Sequence, residues 1–349
     1  MSAVLIEIPT PLARPLPDLR APEGLDEVER TMLALTGADD RAGRMSREHL
    51  ASGGKRLRAR LALAAGAALG AAERDAVRWA AAVELLHNAT LVHDDLQDGD
   101  TVRRGVPTLW SRHGAAQAIN AGDFMLMLPF LAIAEAHPER QGELSRALAD
   151  HAVRTVRGQM AEVELLAERT LEWRRYLDVI ESKTGALLGL PVFGAAILAG
   201  RPRGQAERLS SAFQSLGVMF QLQDDVLDLY GDKGRGRVGS DLYEGKVSAL
   251  VVAHLARRPD ARGAVLAVLG TPRGETREAD VLALIDAFRR SGALGDVLDR
   301  VHALAVQVRR CPALREEPAL RRIALDLAAL SLDPIRHLLA GPAHGVRPA

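Results

Sequence analysis

Between Leu25 and Leu339 the chain contains no run of β-branched residues in which apolar and polar side chains alternate, so it has no material for a sheet-built core. Ala, Leu, Arg and Glu dominate the same stretch, and these residues enter helices at little conformational cost. Gly and Pro punctuate it at "ASGGKR", "RRGVPT", "AHPER", "LAGRPRG", "YGDKGRGRVGS", "RRPDARG" and "GTPRGE". The pattern predicts an all-α protein of about a dozen helices. No repeat of fixed period and no long interior linker divides it, so residues 25–340 are expected to form one bundle. The proline-cut arm, residues 1–24, and the "GPAHGVRPA" tail, residues 341–349, are expected to be mobile.

Composition narrows the function. Lys plus Arg and Asp plus Glu are both 45, so there is no global basic field to favour nucleic acid or an anionic membrane, and any functional charge is local. The single Cys311 excludes an intramolecular disulfide and has no metal-ligand spacing around it, which suits a reducing cytoplasm. The start, "MSAVLIEIPTPLARPLPDLRAP", has too short an apolar run for a signal peptide. Nowhere do about eighteen consecutive apolar residues occur, so no membrane span is expected.

Local charge concentrates in "LVHDDLQDGDTVRRG", Leu91 to Gly105. Val77, Ala81, Leu85 and Val92 form an apolar ladder that predicts one helix from Asp75 to Asp98. At about 100° per residue, His87, Asp94 and Asp98 share a face, with Thr90 and Asp95 on its flanks. "FQLQDDVLD" repeats the spacing with Asp224, Asp225 and Asp228, and Gln221 stands one turn earlier. One such cluster is ordinarily a solvated helix end. Two, both interrupting apolar helices, call for a cation to offset their repulsion. Hard oxygens suit Mg²⁺, which keeps waters and joins a few carboxylates to substrate phosphates. Arg103 and Arg104 follow the first acids with forked donors for phosphate oxygens. Lys55, Arg56 and Arg58, after the Gly53-Gly54 turn, form a second cationic cluster. It is not a Walker A loop, since neither the glycine spacing nor the Ser or Thr after the lysine is present.

The motifs "GGKRLR", "ELLHNATLVHDDLQDGDTVRRGVPT", "INAGD", "RGQMAE", "SKTGAL", "FQLQDDVLD" and "GSDLYEGK" run in this order over nearly the whole chain. Together they resemble the trans-polyprenyl diphosphate synthases, the isoprenoid chain-elongation family. The resemblance implies a helical bundle around a central cavity, a homodimer, and condensation of isopentenyl diphosphate with an allylic diphosphate. It further implies that Asp94, Asp98 and Asp224 ligate Mg²⁺ ions around the allylic diphosphate, supported by Asp95, Asp225 and Asp228. Arg103, Lys183, Lys246 and an arginine of the Gly-rich loop, Arg235 or Arg237, would complete that clamp. Lys55, Arg58, His87 and Arg104 would hold isopentenyl diphosphate, and the oxygens of Thr184 and Gln221 would face the cationic carbon. Glu162 stands where the family often has Asp. After Lys246 the usual Thr-Leu-Pro is replaced by Ser248, Ala249 and Leu250, which lets a helix run on where relatives bend.

The growing chain is expected to pass residues one to three turns before Asp94. Helix geometry puts Thr90, Leu86 and Val83 near that line. The resemblance adds Ala89, where short-chain relatives often carry an aromatic plug, although an ideal helix turns this position away. Phe124, Met125 and Leu128 are expected as a deeper floor. Geranylgeranyl diphosphate is therefore the expected main product. The nearest rival is a class I terpene cyclase, but such enzymes pair one aspartate cluster with an Asn/Asp, Ser/Thr, Glu triad and steer cations along aromatic walls. Here the second cluster is "DDVLD", and aromatic residues make up only 3% of the chain. A non-catalytic subunit of a heteromeric synthase would have no need of all six acids.

Overall fold

The computed structural model describes residues 22–339 except 137, 169–170 and 232–237. The expected mobile tail, nearly all of the arm, and Arg235 and Arg237 therefore lie outside the described residues. The described chain is all-α, with fourteen helices of eight or more residues. They are α1 (Leu25–Leu35), α2 (Arg41–Ala51), α3 (Leu57–Leu69), α4 (Glu73–Gln97), α5 (Ala115–Ala134), α6 (Gln141–Leu165) and α7 (Trp173–Ile180). The chain continues through α8 (Ala186–Leu198), α9 (Arg203–Tyr230), α10 (Ala249–Arg257), α11 (Arg262–Leu269), α12 (Glu278–Ser291), α13 (Ala293–Arg310) and α14 (Pro318–Leu332).

The longest helices surround the site. Helix α4 packs most extensively on α5, and α8 on α9. Only Leu198 of α8 escapes full burial, and such a helix, apolar all round, occupies the middle of a bundle. Its Pro191 leaves the helix intact, and the Pro191 carbonyl accepts a hydrogen bond from Trp79 Nε1 of α4 at 2.9 Å. Helix α5 also carries an internal proline, Pro129, and is long and apolar enough to cross a membrane by composition alone. Counting uninterrupted apolar residues passes over it, because Gln117, Asn120 and Asp123 break the run. In the fold, Met125, Leu128, Ala132 and Ile133 of this helix belong to the core.

Two short strands, Val102–Arg103 (β1) and Val106–Pro107 (β2), pair antiparallel immediately after α4. Arg104 and Gly105 turn between them with φ of 54° and 79°. Positive φ at both central positions is the turn that matches strand twist in a tight hairpin, and it costs a non-glycine residue such as Arg104 roughly 1 kcal/mol or more. The helix that was expected to run on past Lys246 does not. Ser248 is extended (φ −89°, ψ 169°) and α10 starts afresh at Ala249. Asp225 explains the break, since its carboxylate accepts the Ala249 N–H at 2.6 Å and so caps the new helix from across the bundle.

Candidate active site

The mouths of α4 and α9 open on one cavity of about 640 Å³, whose lining brings together Arg58, His87, Thr90, Asp94, Asp98, Arg103, Arg104, Lys183, Thr184, Gln221, Asp224, Asp225 and Lys246. Those residues come from segments up to nearly two hundred positions apart, and their convergence is the main result of the fold. His87, Asp94 and Asp98, the face predicted for α4, all line the cavity, and of the two flanking residues Thr90 lines it too.

One wall is acidic, and several of its carboxylates are already paired. Lys183 Nζ lies 2.5 Å from Glu162, which also lines the cavity. Burial opposes the charge on Lys183, but Glu162 and Asp94 more than offset this and lift its pKa. Burial, opposed by Lys183 and reinforced by Asp98, raises the pKa of Asp94. Lys246 Nζ contacts Asp98 at 2.8 Å and Glu244 at 2.9 Å. Arg273, from the loop after α11, reaches Glu244 at 3.4 Å and Asp100 at 2.8 Å. An ion-pair chain Asp98–Lys246–Glu244–Arg273–Asp100 thus runs along the rim.

The opposite pole gathers Arg56, Arg58 and Arg104 around one buried carboxylate, Glu84. Among the described residues, His87 Nδ1 and Arg58 Nε are buried polar atoms without a hydrogen-bond partner. Burial, with Arg58 next to it, holds the His87 pKa far below the usual imidazole range, so the ring is neutral at pH 7. Arg104 donates to the Gly53 carbonyl, and its guanidinium lies across Gly54, where a Cβ would come within 2.6 Å of it. The double glycine is therefore a seat for an arginine fifty residues away. Arg56, with φ of 48°, enters α3 in the left-handed region and donates to the Leu50 carbonyl at 2.7 Å. Backbone strain of this kind concentrates at functional sites.

Lys183 and Thr184 sit in a single π-helical turn, Glu181–Gly185, inserted between α7 and α8. Such turns are rare and often functional. Two glycines make room for it. A Cβ on Gly158 of α6 would lie 2.6 Å from the Lys183 nitrogen, and one on Gly217 of α9 would lie 2.8 Å from the Gly185 Cα.

Several predicted residues are placed otherwise. Asp95 turns off the cavity, binds Arg103 and is buried, and burial pushes its pKa up to about 6 against the pull of that arginine. Asp228 is buried and accepts from Ser240 Oγ at 2.5 Å and from the Asp241 N–H at 3.1 Å, anchoring the far end of the Gly-rich segment. Asp225 accepts from the Tyr176 hydroxyl at 2.5 Å, the Ala249 N–H and Gln221 Nε2 at 3.1 Å. Burial, with Asp241 close by, pushes its pKa up to about 7. Lys55 is exposed and outside the lining. Ala89 and Leu86 are buried in the core and do not reach the cavity, and neither do Phe124, Met125 and Leu128. An undistorted helix turns Ala89 into the packing, Leu86 is buried there too although helix geometry had put it near the cavity, and the apolar wall falls instead to Leu91, Leu126, Val156, Met160 and Leu187. Sequence reasoning missed Tyr176, Asp241 and Arg273. Asp241 stood inside a quoted motif, whereas Tyr176 and Arg273 carried no local signal.

Among the described residues no three His, Cys, Asp or Glu side chains gather closely enough to hold a metal ion by themselves. The family model for polyprenyl synthetase matches residues 40–288. A short chain isoprenyl diphosphate synthase of Methanocaldococcus jannaschii is 34% identical over 73% of this chain and 79% of its own. A geranylgeranyl pyrophosphate synthase of Geoglobus acetivorans is 31% identical over 82% of this chain and 88% of its own. Among solved structures, a polyprenyl synthase from Caulobacter crescentus, complexed with calcium and isoprenyl diphosphate, superposes with a TM-score of 0.78 at 29% identity, covering 88% of this chain and 93% of that one. With the helices, the cavity and these relatives in agreement, the chain belongs to the polyprenyl synthetase family and is a trans-prenyltransferase with the all-α isoprenoid synthase fold.

Proposed function

We propose that the protein condenses isopentenyl diphosphate with an allylic prenyl diphosphate, head to tail, in an Mg²⁺-dependent reaction whose main product is geranylgeranyl diphosphate. The observation that carries this reading is the division of one cavity into an acidic wall, a cationic pole and an apolar flank.

The residues fit Mg²⁺. Asp94, Asp98 and Asp224 offer hard oxygens around the cavity but no closed cage, which suits an ion that completes its shell with water and diphosphate oxygens. The related Caulobacter crescentus enzyme is complexed with calcium, another hard divalent cation. When bound, Mg²⁺ supplies positive charge that weakens the C–O bond of the allylic diphosphate. Lys183, Lys246 and Arg103 add charge to the departing diphosphate. Arg58, His87 and Arg104 hold isopentenyl diphosphate, whose double bond attacks the allylic carbon, while the released diphosphate takes the proton. Thr184 Oγ1 donates to Gln221 Oε1 at 3.1 Å, and these oxygens stabilise the developing cation. Leu91, Leu126 and Leu187 keep water from it. Tyr176 and Phe220 are the only Phe, Tyr or Trp among the described lining residues, a poor wall for steering a cyclisation.

A cytoplasmic homodimer fits best. Ile119, Met127, Phe130 and Leu131 on α5 and Val153, Met160 and Val163 on α6 are exposed apolar residues on two successive helices, an arrangement that a second copy would bury. Purified protein, both substrates and Mg²⁺ are expected to yield a C20 prenyl alcohol after phosphatase treatment. A cyclic hydrocarbon, or no product, refutes the reading, and a main product of C15, or of C25 and longer, refutes the length.

A further inference from the structure

Gly245 separates Glu244 from Lys246 at a φ of 72°, and a Cβ there would lie 2.6 Å from the Leu269 carbonyl. The glycine thus seats both charged neighbours against the end of α11, just before Arg273. The loop that carries Arg273 is closed on itself, with the Glu275 and Thr276 N–H groups donating to the Pro272 carbonyl at 2.8 and 3.1 Å, so the arginine is presented from a tight turn. Asp100, which holds Arg273 at 2.8 Å, is equally fixed, since its carbonyl accepts from Trp110 Nε1 at 2.7 Å and from Thr108 Oγ1 at 2.8 Å.

Glu244 is the member of the rim chain that cannot turn to water. Its side chain is 4% exposed, and among the described residues its cationic partners are Lys246 at 2.9 Å and Arg273 at 3.4 Å. To bind phosphate oxygens Lys246 must give up Asp98 and Glu244. Asp98 lines the cavity and is open to an arriving cation, whereas Glu244 stands outside the lining. A buried carboxylate stripped of its last counter-ion is strongly unfavourable, so Lys246 can leave Glu244 only if another cation stays behind. We infer that Arg273 is a positioning residue for the condensation: by keeping a counter-charge on Glu244 it releases Lys246 to the allylic diphosphate. This role depends on Lys246 binding that diphosphate, as proposed above.

The wild type is assayed first, so that absence of condensation refutes the functional reading before any variant is compared. In an active enzyme, Arg273→Gln is expected to lower kcat/KM for the allylic diphosphate about tenfold, with KM for isopentenyl diphosphate within about twofold of the wild type, because Lys246 serves the allylic side. Arg273→Lys keeps a charge on the loop and is expected to lose no more than about threefold. Adding Glu244→Gln to Arg273→Gln is expected to bring kcat/KM back to within about threefold of the wild type, because no carboxylate is left to retain Lys246. Loss of a merely structural ion pair would not be repaired in this way. A wild-type kcat/KM in Arg273→Gln, equal losses toward both substrates, or a double variant no better than Arg273→Gln overturns the inference. Should Arg273→Gln melt well below the wild type, Glu244→Gln alone decides the matter. Removing the carboxylate that restrains Lys246 is expected to leave kcat/KM for the allylic diphosphate at or above the wild-type value, and a loss of about tenfold shows that Glu244 aids Lys246 directly and overturns the inference.

Discussion

At the scale of the residue, six acids with one spacing divide into two kinds of work. Asp94, Asp98 and Asp224 line the cavity, whereas Asp95 and Asp228 turn into the fold and Asp225 is spent on three donors. Asp94→Ala and Asp224→Ala are accordingly expected to lower kcat by about a thousandfold, since they act where the bond ionises. Arg58→Ala is expected mainly to raise KM for isopentenyl diphosphate, and Asp95→Ala to be milder than Asp94→Ala. Steady-state kinetics with each substrate varied separate these cases, and equal kcat losses from Asp94→Ala and Arg58→Ala contradict the division. His49 offers a test of stability. Burial, with Arg103 and Arg104 close by, lowers its pKa from 6.5 to about 4. A histidine held neutral in the fold contributes stability that is complete above pH 6.5 and is lost as pH falls toward about 4, by up to about 3 kcal/mol. Urea titrations of His49→Gln are expected to show a flatter stability profile than the wild type across that window. Identical profiles contradict it. Which acids face the cavity was legible as far as helix periodicity reaches, for Asp94, Asp98 and Asp95. The fate of Asp225 was not, because Tyr176 and Ala249 meet it only in three dimensions.

At the scale of the element, the helix breaks marked by Gly and Pro all appear, but composition misjudged other joints. The chain leaves α6 and enters α7 through 166–172, with neither Gly nor Pro to announce it. Pro129 and Pro191 remain inside helices, where burial and, for Pro191, the Trp79 hydrogen bond outweigh the missing backbone donor. The π turn that carries Lys183 and Thr184 left no pattern either, because it is imposed by close neighbours. Gly158 and Gly217 are those neighbours, and each admits backbone where a side chain would collide. Gly158→Ala must push the turn aside, and misplacement of a catalytic group by even about 1 Å costs on the order of a hundredfold in rate. A drop in kcat of tenfold or more, with Tm lowered by several degrees, is the expected result. Full activity in a well-folded Gly158→Ala protein would show that the turn tolerates displacement.

At the scale of the whole molecule, the exposed apolar residues of α5 and α6 are the feature most at odds with a lone chain. Val156 and Met160 belong to both that face and the cavity wall, so the surface that invites a partner is continuous with the one that receives the growing hydrocarbon. Val163→Asp combined with Met127→Asp is expected to give a monomer at micromolar concentration by light scattering, against a dimer for the wild type. A wild-type monomer removes the case for pairing. The rim has a different lesson. Asp98, Lys246, Glu244, Arg273 and Asp100 already pair with one another in sequence, three carboxylates with two cations, before any ligand arrives. Loading the acidic wall is then an ion exchange in which external partners replace internal ones. At the other pole Arg58 Nε and His87 Nδ1 have no hydrogen-bond partner among the described residues, so an anion arriving there displaces no bond from these two atoms. The two substrates thus meet the same protein under opposite electrostatic terms, and bulk salt should discriminate between them as the protein's shape does not.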